Sequence, residues 1–139
     1  MKQEFYNLQI DTNGQKLYEF TNQTIEWINQ NNLKNGILNL SIQHTSASFI
    51  VQENADPDVQ IDFIYYFDKL APMDDKLYFH TTEGKDDMPA HIKSALTNNQ
   101  ISLRIKDNNL LLGTWQGLYL FEHRLETQNR TIIHHFVGD

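Results

Sequence analysis

Between Ile37 and His44 the chain alternates cleanly. Leu38, Leu40, Ile42 and His44 share one face, and Asn39, Ser41 and Gln43 share the other. That period of two marks a half-buried strand. Related patterns predict strands over 3–10, 16–20, 47–52, 100–105, 109–112, 117–124 and 130–137. Asn13-Gly14 is a tight-turn signal between the first two. Three stretches change to helical spacing. The first is capped by Thr21 or Asn22 and runs to about Gln30, with Ile25 and Ile28 inward and Asn35-Gly36 as its stop. The second opens with Asp56 as cap and Pro57 in its first turn, and carries Ile61, Ile64, Tyr65 and Leu70 to Ala71-Pro72. The third opens at Asp86-Asp87-Met88-Pro89 and reaches about Asn98, with Ile92, Ala95 and Leu96 inward. The segment 74–87 is polar and turn-rich. Runs of strands separated by helices, without strict βαβ alternation, predict an α+β domain on antiparallel sheets. No repeat or Pro/Gly/Ser-rich linker divides the 139 residues, so positions 1–139 read as one domain, long enough to bury a core.

Charge and composition narrow the chemistry. A formal charge of −7, with eleven scattered Lys and Arg residues, argues against a nucleic-acid partner, which needs a basic stripe to displace counterions. No apolar run approaches the roughly 20 residues that span a bilayer, and MKQEFYNLQI has no signal-peptide apolar core, so no membrane partner and a cytoplasmic location are expected. The absence of cysteine removes disulfides, thiolate nucleophiles and Cys-type zinc sites together. The six histidines become the metal or proton-transfer candidates. There is no P-loop, GxGxxG or GxSxG, which sets aside P-loop kinases, ordinary dehydrogenases and α/β hydrolases.

Two imidazoles sit in the apolar phase of strands. His44 follows Leu38, Leu40 and Ile42, and His123 follows Tyr119 and Phe121. Each reads either as a core-edge histidine bonded to backbone or as part of a shared pocket. His91 lies early in the third helix, and His80 lies in the polar loop with the same ambiguity. His134-His135 reads as a strand end with one side chain out. These spacings form no HExxH-type signature. Asp56, Asp58, Asp86 and Asp87 fit helix first turns, where carboxylates cap free N–H groups. Glu53 ends a largely apolar strand. Glu122 and Arg124 share a strand face, either as an ion pair or with Arg124 holding a phosphate and Glu122 orienting an imidazole or acting as base. Trp115-Gln116, between Gly113 and Gly117, is either turn packing or an apolar wall beside a close-approaching backbone.

Taken together, HTSAS (44–48), ENADPDV (53–59), EGKDDMPAHIK (83–93) and LGTWQGLYLFEHR (112–124) resemble the YjbQ-type family over about Phe5 to Val137. That family is linked to a secondary thiamine-phosphate synthase activity. Ser46 stands where the family more often has Thr, and Phe121 where Cys is frequent. The resemblance implies a two-sheet antiparallel β-sandwich of about seven strands with three helices, assembled as a homotrimer. It implies that His44, His91 and His123 approach one another as ligands for a divalent metal such as zinc, with Glu53 and Glu122 joining the three histidines in catalysis. Asp86, Trp115, Gln116 and Arg124 are implied to bind a small phosphorylated or anionic metabolite, in a cleft at or near a subunit interface. The activity implied is coupling of a hydroxymethylpyrimidine pyrophosphate to a thiazole phosphate. The alternatives are a trimeric binding module for a metal or an anionic metabolite, and a metal-assisted hydrolase.

Overall fold

The computed structural model describes residues 1–139. Eight strands and three helices follow the order β1 (Lys2–Asn13), β2 (Lys16–Glu19), α1 (Thr21–Gln30), β3 (Gly36–Ile42), β4 (Ala47–Glu53), α2 (Pro57–Leu70), α3 (Asp87–Leu96), β5 (Gln100–Lys106), β6 (Asn109–Leu110), β7 (Gln116–Glu122) and β8 (Thr127–Gly138). A single 3₁₀ turn, Asp75–Leu77, interrupts the loop before α3. The strands make two antiparallel sheets, β1-β8-β3-β5-β6 and β2-β7-β4. The α+β two-sheet sandwich expected from the sequence is therefore the fold.

The core forms where the alternating faces meet. Leu38, Leu40, Ile132 and Phe136 of the larger sheet pack in one cluster with Phe49, Leu118 and Leu120 of the smaller, and Trp27 and Ile28 of α1 join it. Each such side chain contributes about 1.5–3 kcal/mol by leaving water. A second cluster, Leu17, Tyr119 and Phe121, lies against Phe63, Ile64 and Phe67. These three α2 side chains hold that helix to the smaller sheet.

The helix faces differ from the predicted ones. In α1 the buried residues are Thr21, Thr24, Trp27 and Ile28, while Ile25 is 38% exposed. The helix stops at the left-handed Asn32, and Gly36 belongs to β3. In α2, for which the sequence assigns no inward face, Asp56 caps through a 2.9 Å bond from the Asp58 amide as expected. Ile64 turns to the smaller sheet, and Ile61, Tyr65 and Leu70 face outward. In α3 the inward stripe is Asp87, Pro89, Ala90, Lys93 and Ser94, while Ala95 is exposed and Leu96 is 57% exposed. Hydropathy selects the wrong side of α3 because the inward row is small and polar. That row carries hydrogen bonds into the site instead of apolar area. Strands β3 and β7 also end two residues early, leaving His44 and His123 just beyond them.

His134 lies mid-strand in the inward row of β8, with Ile132 and Phe136, while His135 turns out and stacks on Phe5 at 4.1 Å. The His134 Nε2 is 2.8 Å from Thr24 Oγ1, which is 3.1 Å from the Phe20 carbonyl oxygen. That carbonyl only accepts, so the Thr24 hydroxyl donates to it and receives the Nε2–H of His134. Burial pushes the His134 pKa down to about 4.

Gly36 and Gly138 face each other across β3 and β8. A Cβ on Gly36 would collide with the Val137 carbonyl oxygen and come within 2.7 Å of the Phe136 ring. Gly36→Ala is expected to lower unfolding free energy by about 1–3 kcal/mol in urea denaturation. Gly113→Ala, which meets only the Gln116 side chain at 3.3 Å, stays within about 0.5 kcal/mol. The buried His134 sets a pH dependence. Its folded pKa lies below its unfolded value of 6.5, so its stabilising contribution is complete above pH 6.5 and declines as pH falls toward about 4. The slope from this one group approaches ~1.4 kcal/mol per pH unit. Denaturation curves between pH 7.5 and 4.5 are expected to show a shallower loss in His134→Phe than in the parent chain.

Candidate functional site

The third helix begins with two acids, and the fold uses their side chains for tertiary contacts. Asp86 makes no side-chain cap; its Oδ2 accepts from Arg124 Nε at 2.8 Å and from the Leu125 amide at 2.9 Å. Asp87, almost wholly buried, accepts from Arg124 Nη1 at 2.7 Å through Oδ1. The third edge of the guanidinium donates to the Glu83 carbonyl at 2.9 Å. Burial works to raise both carboxyls, but it is outweighed. The Leu125 amide and Arg124 hold Asp86 below the usual carboxylate range. His80, His91 and Arg124 do the same for Asp87.

Two histidines converge on the other oxygen of Asp87. His80 Nε2 lies 2.6 Å from Oδ2, and His91 Nε2, one helical turn along α3, lies 3.1 Å away. The ligand atoms of His80, Asp87 and His91 all fall within 4.8 Å of one another. His91 Nδ1 is 2.9 Å from the Thr45 carbonyl oxygen. A carbonyl cannot donate, so Nδ1 carries a proton and Nε2 is the nitrogen aimed at the carboxylate. That nitrogen and the Asp87 oxygen face each other at 3.1 Å, with His80 Nε2 on the same oxygen.

Beside this cluster lies a pocket of about 260 Å³ lined by His44, Thr45, His91, Ser94, Ala95 and Asn99. His44 Nε2 accepts from the Thr131 amide at 3.1 Å. Burial and the neighbouring Arg130 charge push the His44 pKa down, partly offset by Glu122.

Glu122 and Arg124 do not pair, although both leave the end of β7. Glu122 is fully buried and holds Arg130 through both oxygens, at 2.8 Å to Nε and 2.6 Å to Nη2. It also accepts from Thr12 Oγ1 at 2.6 Å and from the amides of His123 and Arg124 at 3.0 and 3.2 Å. With five donors around it, Glu122 has no open position for base work. Arg130 goes on to Ser46 Oγ at 2.9 Å. Sequence reasoning passed over Arg130. The available signal was its phase: it shares the inward row of β8 with Ile132, His134 and Phe136, where a guanidinium needs a buried partner.

His123 is also sealed. Its Nε2 lies 2.8 Å from Ser48 Oγ, which is 2.6 Å from Thr97 Oγ1, itself 2.9 Å from the Lys93 carbonyl. Because that carbonyl only accepts, protons run from His123 Nε2 to Ser48, from Ser48 to Thr97 and from Thr97 to Lys93 O. The bare Nδ1 is buried without a partner. Burial, with Lys93 and Arg130 adding repulsion, lowers the pKa to about 3. Of the three histidines expected to converge, His44 and His91 line one pocket, His123 is sealed apart from it, and His91 shares Asp87 with His80. The lone pair of His44 is spent on Thr131, and that of His123 is cut off from solvent.

The remaining candidates lie at the far end of the smaller sheet. Glu53 pairs with Gln116 in register, whereas Glu122 pairs with Ala47. Six residues of strand separate the two ends, roughly 20 Å. Trp115 is 63% exposed, and Gln116 Oε1 accepts from the Gly113 amide at 2.7 Å, closing its own turn. Within one chain, Glu53, Trp115 and Gln116 do not meet the histidine cluster.

Comparison with known proteins agrees with this fold. A family model described as UPF0047 protein YjbQ-like matches residues 6–139. A UPF0047 protein of Synechocystis is 45% identical over 132 residues, 95% of this chain and 90% of the relative. The UPF0047 protein YjbQ of Salmonella typhimurium is 43% identical over 107 residues, 77% of each chain. A crystal structure of an uncharacterised YjbQ/UPF0047 protein from Clostridium acetobutylicum superposes with a TM-score of 0.83 at 28% identity, covering 96% of this chain and 99% of that one. A YbjQ-like protein of unknown function from Sulfolobus solfataricus shares the fold, with a TM-score of 0.86 at 18% identity over 99% of this chain and 100% of that one. A match along nearly the whole chain, with relatives above 40% identity, places this protein in the YjbQ-like UPF0047 family.

Proposed function

We propose that His80, Asp87 and His91 form a divalent-cation site of the zinc class, and that the adjoining pocket receives a small anionic metabolite. The observation that carries this reading is the commitment of His91 Nδ1–H to the Thr45 carbonyl, which points Nε2 at Asp87 Oδ2 from 3.1 Å. A metal-binding histidine has its other ring nitrogen held in this way by a carbonyl or carboxylate. Arg124 does the same for the carboxylate, gripping Oδ1 and leaving Oδ2 to face the imidazoles. Two histidines and one carboxylate suit zinc, manganese or iron, and they leave coordination positions open. A bound cation would supply Lewis-acid charge at those positions. The chain's own part is to present Asp87 ionised, to fix the orientation of His91, and to wall the pocket with Ser94 and His44.

The thiamine phosphate synthase reading places heavier demands on this site. Departure of pyrophosphate needs several cationic groups nearby. No Lys or Arg lines the pocket, and the Arg124 guanidinium is already shared among Asp86, Asp87 and Glu83. The cation would be the only clamp, so binding or metal-assisted hydrolysis of a small anion fits these residues better. A homotrimer belongs to the same proposal. The outward Ile61, Tyr65 and Leu70 of α2 supply apolar surface for a subunit contact, and Trp115 with Gln116 would reach a cluster only on a neighbouring copy.

Calorimetric titration of the tag-free, metal-stripped protein with zinc is expected to give one ion per chain. His80→Ala, Asp87→Asn and His91→Ala should each weaken binding at least tenfold. His123→Ala should leave it unchanged. Zinc at a hundred times its Kd should add about 2.7 kcal/mol to unfolding free energy in the parent chain and little in His91→Ala. Equal zinc affinity in the parent and His91→Ala would remove the cation site. Thiamine phosphate formed by the zinc-loaded parent, and not by His91→Ala, would establish the transferase reading over hydrolysis.

A further inference from the structure

His44 gives the pocket beside the cation cluster its chemical character. The Thr131 amide is 3.1 Å from Nε2, and an amide N–H can only donate. Nε2 therefore supplies the lone pair, and a neutral ring keeps its proton on Nδ1. Arg130, fixed behind the site by Glu122 and Ser46, opposes a second proton on the ring. Nδ1 has no partner within the chain, and the half-buried ring leaves it open to solvent. It is the unspent donor of a side chain that lines the pocket.

The rest of the lining sharpens what this donor is for. Ser94 Oγ donates to the Ala47 carbonyl at 2.9 Å, and the Thr45 carbonyl is occupied by His91. No carboxylate, lysine or arginine lines the cavity. An anion entering it meets no repelling charge. One of its oxygens can take a directed N–H from His44 while the adjoining cluster meets its charge.

We infer that this cavity of about 260 Å³ is an oxyanion subsite, in which neutral His44 donates Nδ1–H to an oxygen of a small phosphorylated or carboxylated ligand. For charge balance the subsite rests on the cation reading above; for hydrogen bonding it stands by itself. His44 is then a binding and orienting group with no role as a general base, because the only lone pair on its ring is turned into β8. Selectivity follows from the same chemistry. A ligand that offers an acceptor oxygen is held, and one that offers only a donor there is rejected.

The test is a ¹H–¹⁵N correlation spectrum of histidine-labelled protein at pH 7.5, which reads the protonated nitrogen of each ring. His44 is expected to carry its proton on Nδ1, and inorganic phosphate should shift that resonance, with acetate as the carboxylate comparison. His44→Ala should weaken phosphate at least tenfold while zinc affinity, titrated without phosphate, stays within twofold. His44→Asn, whose amide nitrogen falls near the place of Nδ1, should recover part of the loss. A proton on Nε2, no response to either anion, or equal phosphate affinity in His44→Ala would overturn the subsite. If phosphate shifts Nδ1 while zinc fails to bind, the subsite stands and the cation reading falls. If zinc binds while His44 stays silent to both anions, the subsite alone falls.

Discussion

The pairing of Glu122 with Arg130 ties the two sheets together at the end where the histidines gather. Glu122 ends β7 in the smaller sheet, Arg130 lies in β8 of the larger, and Thr12 brings β1 to the same carboxylate. A buried ion pair is favourable only when its remaining hydrogen-bonding positions are filled. Here they are, by the amides of His123 and Arg124 and by Ser46. Those extra bonds also have a geometric consequence. By holding the two amides after Glu122, the carboxylate turns the chain out of strand conformation, and Arg124 reaches α3 instead of continuing along β7. The position of Asp87, and with it the approach of His80 and His91, follows from that turn.

Strands were legible in the sequence because a sheet with one buried face imposes a strict period of two, and a slip by one residue would expose the whole row. Helix faces were less legible. The inward row of α3 carries Lys93, Ser94 and Asp87, which a hydropathy pattern assigns to solvent. Their burial depends on partners far away in sequence: Lys93 bonds Asp68 at 2.6 Å and Gln15 at 3.1 Å, and Ser94 bonds the Ala47 carbonyl. For the site, the i, i+4 relation of Asp87 and His91 was available locally, but nothing in a polar loop announces that His80 will fold back onto them. The family resemblance drew attention to His91 and Arg124, both of which meet at Asp87. It also grouped His123 with them, and the strand end carries that ring into the interior instead.

The smaller sheet keeps two kinds of chemistry apart. One end of β7 is buried and charged, with Glu122 hydrogen-bonded at every position; the other presents an exposed indole and a glycine-bounded turn. A rigid ladder between them fixes their separation within a chain.

The long pairing of β1 with β8 has a consequence for how the protein is made. Residues 2–13 find their partners only in residues 127–138, so β1 stays unpaired until β8 has been made. β2 likewise waits for β7, and β3 has its neighbours in β5 and β8. During synthesis the amino-terminal half is a set of amphipathic strands without neighbours, open to pairing with other chains. Sheet closure therefore has high contact order and is slower than the folding of a helical chain of similar length. Loss of β8 (Thr127–Gly138) would strip β1 and β3 of the neighbour they share in the larger sheet.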